Sequence, residues 1–248
     1  MQHDVAGAER THAQVGSGKS SRTVRSSVNW TNQRTACWGD RTPLGVFGSI
    51  ADALSGKRWD TLPAGEHLWP FEFNVPKGAP AVYAGRHVDV TWKLSAQVDV
   101  PRGFDLTQNW TIRVIPPIPG EVPARHGRHQ KSVQLEAWID PGPAGPGAEV
   151  RGRFRVRNTG GKTIRAAHVD VVRLERAVAS GHVRETSQVE SGTKFRGASL
   201  GEEPVEFAVR LPDSYCPWEG KYSSLAYGVK VWLDVAWGFD VEVTLRTH

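Results

Sequence analysis

Val88-Asp89-Val90-Thr91-Trp92-Lys93-Leu94-Ser95-Ala96-Gln97-Val98 sets apolar residues at every even position and polar residues between them. A period of two sends successive side chains to opposite faces, so the stretch reads as a β-strand with one face in a core. The same alternation recurs at Trp110 to Val114, Val133 to Ala137, Val150 to Val156, Val205 to Leu211 and Tyr227 to Val235. Helical spacing is confined to Ile50-Ala51-Asp52-Ala53-Leu54, enough for a turn or two. The 26 glycines and 16 prolines, spread over 248 residues, punctuate the chain too often for a helical bundle. With 39% apolar residues it is also too hydrophobic for disorder. The expected fold class is all-β, with many short strands.

The decisive strand has a counterpart. Phe71-Glu72-Phe73-Asn74-Val75-Pro76 is followed by Pro80, Gly85 and the alternating run; Phe207-Ala208-Val209-Arg210-Leu211-Pro212 is followed by Pro217, Gly220 and a second run. Counted from the two glycines, Trp92, Leu94, Ala96, Val98 and Val100 fall at the same distances as Tyr227, Val229, Val231, Leu233 and Val235. Such an internal repeat is the pattern of a duplicated β-sandwich. Between the copies, Pro116 to Gln130 loses the alternation and gathers proline, glycine and basic residues. Proline lacks the N–H that a central strand needs, so this segment is placed as a boundary. The expected organisation is a first sandwich over 1–118, a linker over 119–130 and a second sandwich over 131–248.

The net charge is +5, distributed as 13 basic and 10 acidic side chains over 1–118, 2 and 1 over 119–130, and 16 and 15 over 131–248. No segment is a basic module, so no nucleic-acid partner is expected. No apolar run long enough for a membrane helix and no leader-like stretch after Met1 are present, which makes a cytoplasmic location the expectation. Cys37 and Cys216 are too few for a disulfide framework and read as isolated thiols.

Leu62-Pro63-Ala64-Gly65-Glu66-His67-Leu68-Trp69-Pro70-Phe71-Glu72-Phe73-Asn74-Val75-Pro76 is similar to the arrestin amino-domain segment, in which a Leu-Pro-x-Gly turn leads to a Pro-Phe-x-Phe strand and a closing proline. Val133 to Ile139, Gly147 to Asn158, Ile164 to Leu174 and Phe207 to Pro212 resemble pieces of the carboxyl domain. The resemblance implies two immunoglobulin-like β-sandwiches in tandem. Against that pattern the first sandwich looks short by two or three opening strands, which would leave an open edge for strand addition. No tail follows the last strand to carry Pro-Pro-x-Tyr or endocytic motifs, and no site residue of the family is carried over. The preponderance of arginine over lysine suggests a bacterial source.

Several residues are candidate sites. Arg151, Arg153, Arg155 and Arg157 alternate, so a strand would present them as a column of guanidinium groups suited to acidic or phosphorylated peptide. The competing reading is a solvated face whose arginines pair with neighbouring glutamates. Trp92 and Trp110 fall on apolar faces and are expected in the core. Trp232 falls on a polar face and Trp218 and Trp237 fall in turns, where exposed aromatics are candidate contact residues. Gln14 to Ser20 resembles the end of a phosphate loop, but Ala13 replaces the first glycine, so a hairpin tip between Arg10 to Val15 and Thr23 to Val28 is favoured. His87-Val88-Asp89 and His168-Val169-Asp170 each pair a histidine with an aspartate, short of the three ligands a metal needs. His126 and His129 lie in the expected linker, and Cys216 is expected to pack in a turn. No catalytic residue, cofactor or metal is expected.

These expectations combine into a non-enzymatic, arrestin-like scaffold or adaptor that binds a protein partner in signalling or protein transport. The alternative is a secreted or surface carbohydrate-binding sandwich, which export and glycan retention would favour.

Overall fold

In the computed structural model, the described residues are 2–15, 22–36, 64–68, 70–98, 100, 104–115, 117–118, 120–158, 160–197, 200, 203–238 and 240–248. The phosphate-loop resemblance at Gly16 to Ser20, Cys37, the helical spacing at Ile50 to Leu54 and the Leu62-Pro63 pair lie outside them. Among the described residues the chain is all-β. The strands are β1 (Gln2–Val15), β2 (Arg22–Ala36), β3 (Tyr83–Ala84), β4 (Val88–Val98), β5 (Leu106–Thr111), β6 (Glu121–Val122), β7 (Arg125–Gln130) and β8 (Val133–Ile139). They continue with β9 (Gly142–Pro143), β10 (Glu149–Asn158), β11 (Ile164–Ala179), β12 (His182–Arg196), β13 (Val205–Arg210), β14 (Trp218–Glu219), β15 (Ser223–Val235) and β16 (Val241–Arg246).

The first unit contributes a sheet ordered β2-β1-β4-β3, with β5 also on β4. The second contributes a sheet ordered β12-β11-β15-β14, with β16 also on β15, and faces it with a sheet ordered β13-β10-β8-β7. The first two sheets have the same topology strand for strand, which is the repeat seen between Gly85 and Gly220. Each glycine N–H closes an equivalent turn, Gly85 to Val88 O at 2.8 Å and Gly220 to Ser223 O at 2.7 Å. Of the matched inward positions, Trp92 and Ala96 are buried like Tyr227 and Val231, whereas Leu94 and Val98 are only partly buried where Val229 and Leu233 are fully so. Trp92 satisfies its indole N–H on Pro80 O at 3.0 Å, so its burial leaves no orphaned donor.

Four expectations need correction. Residues 125–130 of the expected linker form β7, paired along its length with β8, and Glu121–Val122 pairs with Gly142–Pro143. The prolines that suggested a linker flank these strands, so their missing N–H groups cost the ladder nothing. Trp110 is not core: it is 46% exposed on β5, which pairs only with β4 among the described residues, and burial resumes beyond it at Val114. Val100, expected to point inward, is exposed because β4 ends at Val98. Trp218, expected to be exposed, is buried.

The polar strand β12 carried no alternation to reveal it. Its hairpin with β11 turns at Ser180 and Gly181, both at positive φ (49° and 81°), the two-residue geometry that matches strand twist.

Candidate partner-binding face

The duplicated sheets meet at a reciprocal contact. Glu175, on β11, is buried and accepts from Tyr83 Oη at 2.8 Å, Arg86 N at 3.0 Å and His87 N at 2.5 Å. Glu9, on β1, is fully buried and accepts from Tyr222 N at 2.9 Å and Ser223 Oγ at 2.5 Å. Each carboxylate therefore sits in the other unit's glycine turn. His87 and Tyr222 both stand two residues after their glycine, and Glu9 and Glu175 stand opposite the equivalent residues Val90 and Leu225. A side chain on either glycine would collide with the carboxylate: a Cβ on Gly85 would lie 1.9 Å from Glu175 Oε2, and one on Gly220 2.5 Å from Glu9 Oε2. Thr11 Oγ1 donating to Val178 O at 2.6 Å and Ser180 N to Ser26 Oγ at 2.9 Å extend the junction.

This junction fixes the second sandwich, whose outer sheet carries the arginine column. Inward positions Val150, Phe154 and Val156 anchor β10 in the core, which turns Arg151, Arg153 and Arg157 to solvent and leaves Arg155 half-buried. Two of the four arginines pair with neighbouring glutamates, as a solvated face would have them. Arg151 Nε pairs with Glu149 at 2.7 Å, and Arg155 binds Glu136 through Nε at 3.0 Å and through Nη2. That pairing holds the Glu136 carboxyl below its usual range, chiefly by hydrogen bonding. Arg153 and Arg157 form no ion pair among the described residues, although Glu206 stands opposite Arg153 on β13 and the Arg157 charge is felt at Glu136.

Trp138, outward on β8, is the centre of this face. The Arg153 and Arg155 guanidinium carbons each lie 5.7 Å from its ring centroid, and His126 of β7 stacks on it at 5.0 Å and 15°. Sequence reasoning passed over Trp138 although Val133, Leu135, Ala137 and Ile139 take the inward register and so send residue 138 outward.

The other candidates disperse. Trp232 lies on a different sheet, stacked on His168 at 4.0 Å with its indole N–H donating to Asp170 Oδ2 at 2.6 Å. The His168 and Asp170 pair is thus engaged by an indole. Trp218 packs edge-on to Tyr83 at 6.2 Å in the junction and is not available to a partner. Trp237 is fully exposed in the β15–β16 turn at φ 55°, a left-handed conformation that is strained for a bulky side chain. Ala236 N donates to Thr163 O, which sets that turn beside the loop following Arg157. Cys216 is half-buried, and burial raises its thiol pKa against the lowering influence of Arg113.

Residues 7–119 match the family model described as Arrestin (or S-antigen), N-terminal domain. No curated protein matches the chain. No helix among the described residues is long and apolar enough to cross a membrane.

Proposed function

We propose that the chain, whose first unit matches the arrestin amino-terminal domain, is a non-enzymatic scaffold in signalling or protein transport. It binds an acidic or phosphorylated segment of a protein partner on the outer sheet of the second sandwich. The observation that carries this reading is the column Arg151 to Arg157 around Trp138, in which Arg153 and Arg157 form no ion pair among the described residues and the indole offers a flat apolar centre. Guanidinium groups recognise carboxylate and phosphate through paired donors, and an aromatic between them supplies buried area. The exposed, strained Trp237 beside the same end of the sandwich supports a contact role for that turn.

Calorimetric titration with an acidic peptide and its phosphoserine counterpart tests the reading. Arg153→Glu with Arg157→Glu, which leaves the Arg155 and Glu136 pair intact, is expected to weaken binding about tenfold and to flatten its salt dependence. Unchanged affinity for both peptides would remove this face as the site.

A further inference from the structure

A cavity of about 500 Å³ opens where the two units meet. Its walls are Ala81, Tyr83 and Ile112 from the first unit and Tyr215, Trp218 and Tyr227 from the second. The space opens to solvent on one side; Tyr215, Trp218 and Tyr227 form its buried floor, and the partly exposed Tyr83, Ile112, Ile115 and Ile118 present its apolar surface. The wall hydroxyls are already committed: Tyr83 Oη donates to Glu175, Tyr227 Oη to Ser214 O at 3.2 Å, and Tyr215 Oη is paired with Thr247 Oγ1 at 3.3 Å. The Trp218 indole N–H is a buried wall donor without an acceptor among the described residues; the rest of what the walls turn to the cavity is carbon, which suits a mainly apolar occupant.

The charged groups around the cavity are unequal. Asp213 is engaged by Arg210 at 3.3 Å. Arg173 is paired with Glu190 at 3.2 Å and held 5.8 Å from the Tyr83 ring centroid. Arg113 is exposed and has no acidic partner among the described residues, and its charge is felt at the Cys216 thiol on the same wall.

We infer that this cavity binds a small amphipathic carboxylate, with its aliphatic body against Tyr83, Ile112, Ile115 and Ile118 and its anionic head on the Arg113 guanidinium. The site is separate from the arginine column and does not depend on the proposed peptide binding.

Cys216 provides the readout, because an occupant would cover it. In the full chain carrying Cys37→Ser, decanoate below its micelle-forming concentration is expected to slow methanethiosulfonate labelling of Cys216. Acetate should not protect, and decanol should need about tenfold higher concentration, since a charge-assisted hydrogen bond is lost. Arg113→Glu, an exposed position, should bring decanoate down to the level of decanol, and Ala81→Phe should abolish protection by filling the space. Equal protection by decanoate with and without Arg113→Glu would overturn the assignment of the head group. Protection by decanoate no greater than by acetate would overturn the site.

Discussion

Replacing Glu175 by alanine tests the reciprocal junction most directly. The substitution removes the acceptor for three donors, Tyr83 Oη, Arg86 N and His87 N, at a residue that is only 5% exposed. An orphaned buried donor costs about 1–3 kcal/mol, and water entering the vacated space would hold each to the low end, so the expected loss is about 3 kcal/mol. Tyr83→Phe removes one of the same donors and should cost about 1 kcal/mol by itself. Once the phenol hydroxyl is gone, Glu175→Ala strands only two donors. The double variant should therefore be less destabilised than the sum of the singles by about 1 kcal/mol. Urea unfolding followed by circular dichroism would report this as a shift in midpoint at constant slope. A Glu175→Ala loss below about 1 kcal/mol, or additivity of the two changes within about 0.5 kcal/mol, would refute the claim that this carboxylate holds the two units together.

Gly85→Ala and Gly220→Ala should each destabilise the fold by displacing a seated carboxylate, whereas Gly120→Ala, with nothing within 4 Å of its added Cβ, should be neutral; thermal unfolding separates them. Trp237→Gly should raise stability by about 1 kcal/mol by relieving a left-handed backbone while weakening binding of the acidic peptide; a loss of stability would show that the indole packs on the protein. Burial raises the phenol pKa values of Tyr83, Tyr215 and Tyr227, that of Tyr227 to about 12. An acid whose native pKa lies above its unfolded value near 10 stabilises the fold fully below about pH 10 and loses that contribution as pH rises towards 12. Three of the four tyrosines should therefore ionise late and together with unfolding, and a phenolate absorbance rise near pH 10 in a folded chain larger than a single phenol can give would contradict their burial.

The alternating strands, the repeat around Gly85 and Gly220 and the outward column of arginines were legible in the sequence because each is local: a period of two decides which face a side chain takes wherever the strand lies. The same rule gives Trp138 its outward position. It failed at Trp110, where alternation continued onto an edge strand whose face is exposed, and at Arg125–Gln130, where prolines marked the flanks of a strand. It could not find β12, whose residues are polar on both faces.

Partnership across the chain was decided by tertiary structure alone. Glu9 lies within Ala8-Glu9-Arg10 and Glu175 within Leu174-Glu175-Arg176, and nothing in either neighbourhood distinguishes a buried interunit acceptor from a solvated carboxylate. Their donors stand 213 and 88 residues away, at Tyr222 and His87, and are brought within 3 Å only when the duplicated sheets pack against each other. Trp218 and Trp237 both follow turn residues, yet one is buried against Tyr83 and the other stands in solvent. Backbone alternation fixes the face of a side chain, but burial also requires something on the other side. That is supplied by chain remote in sequence.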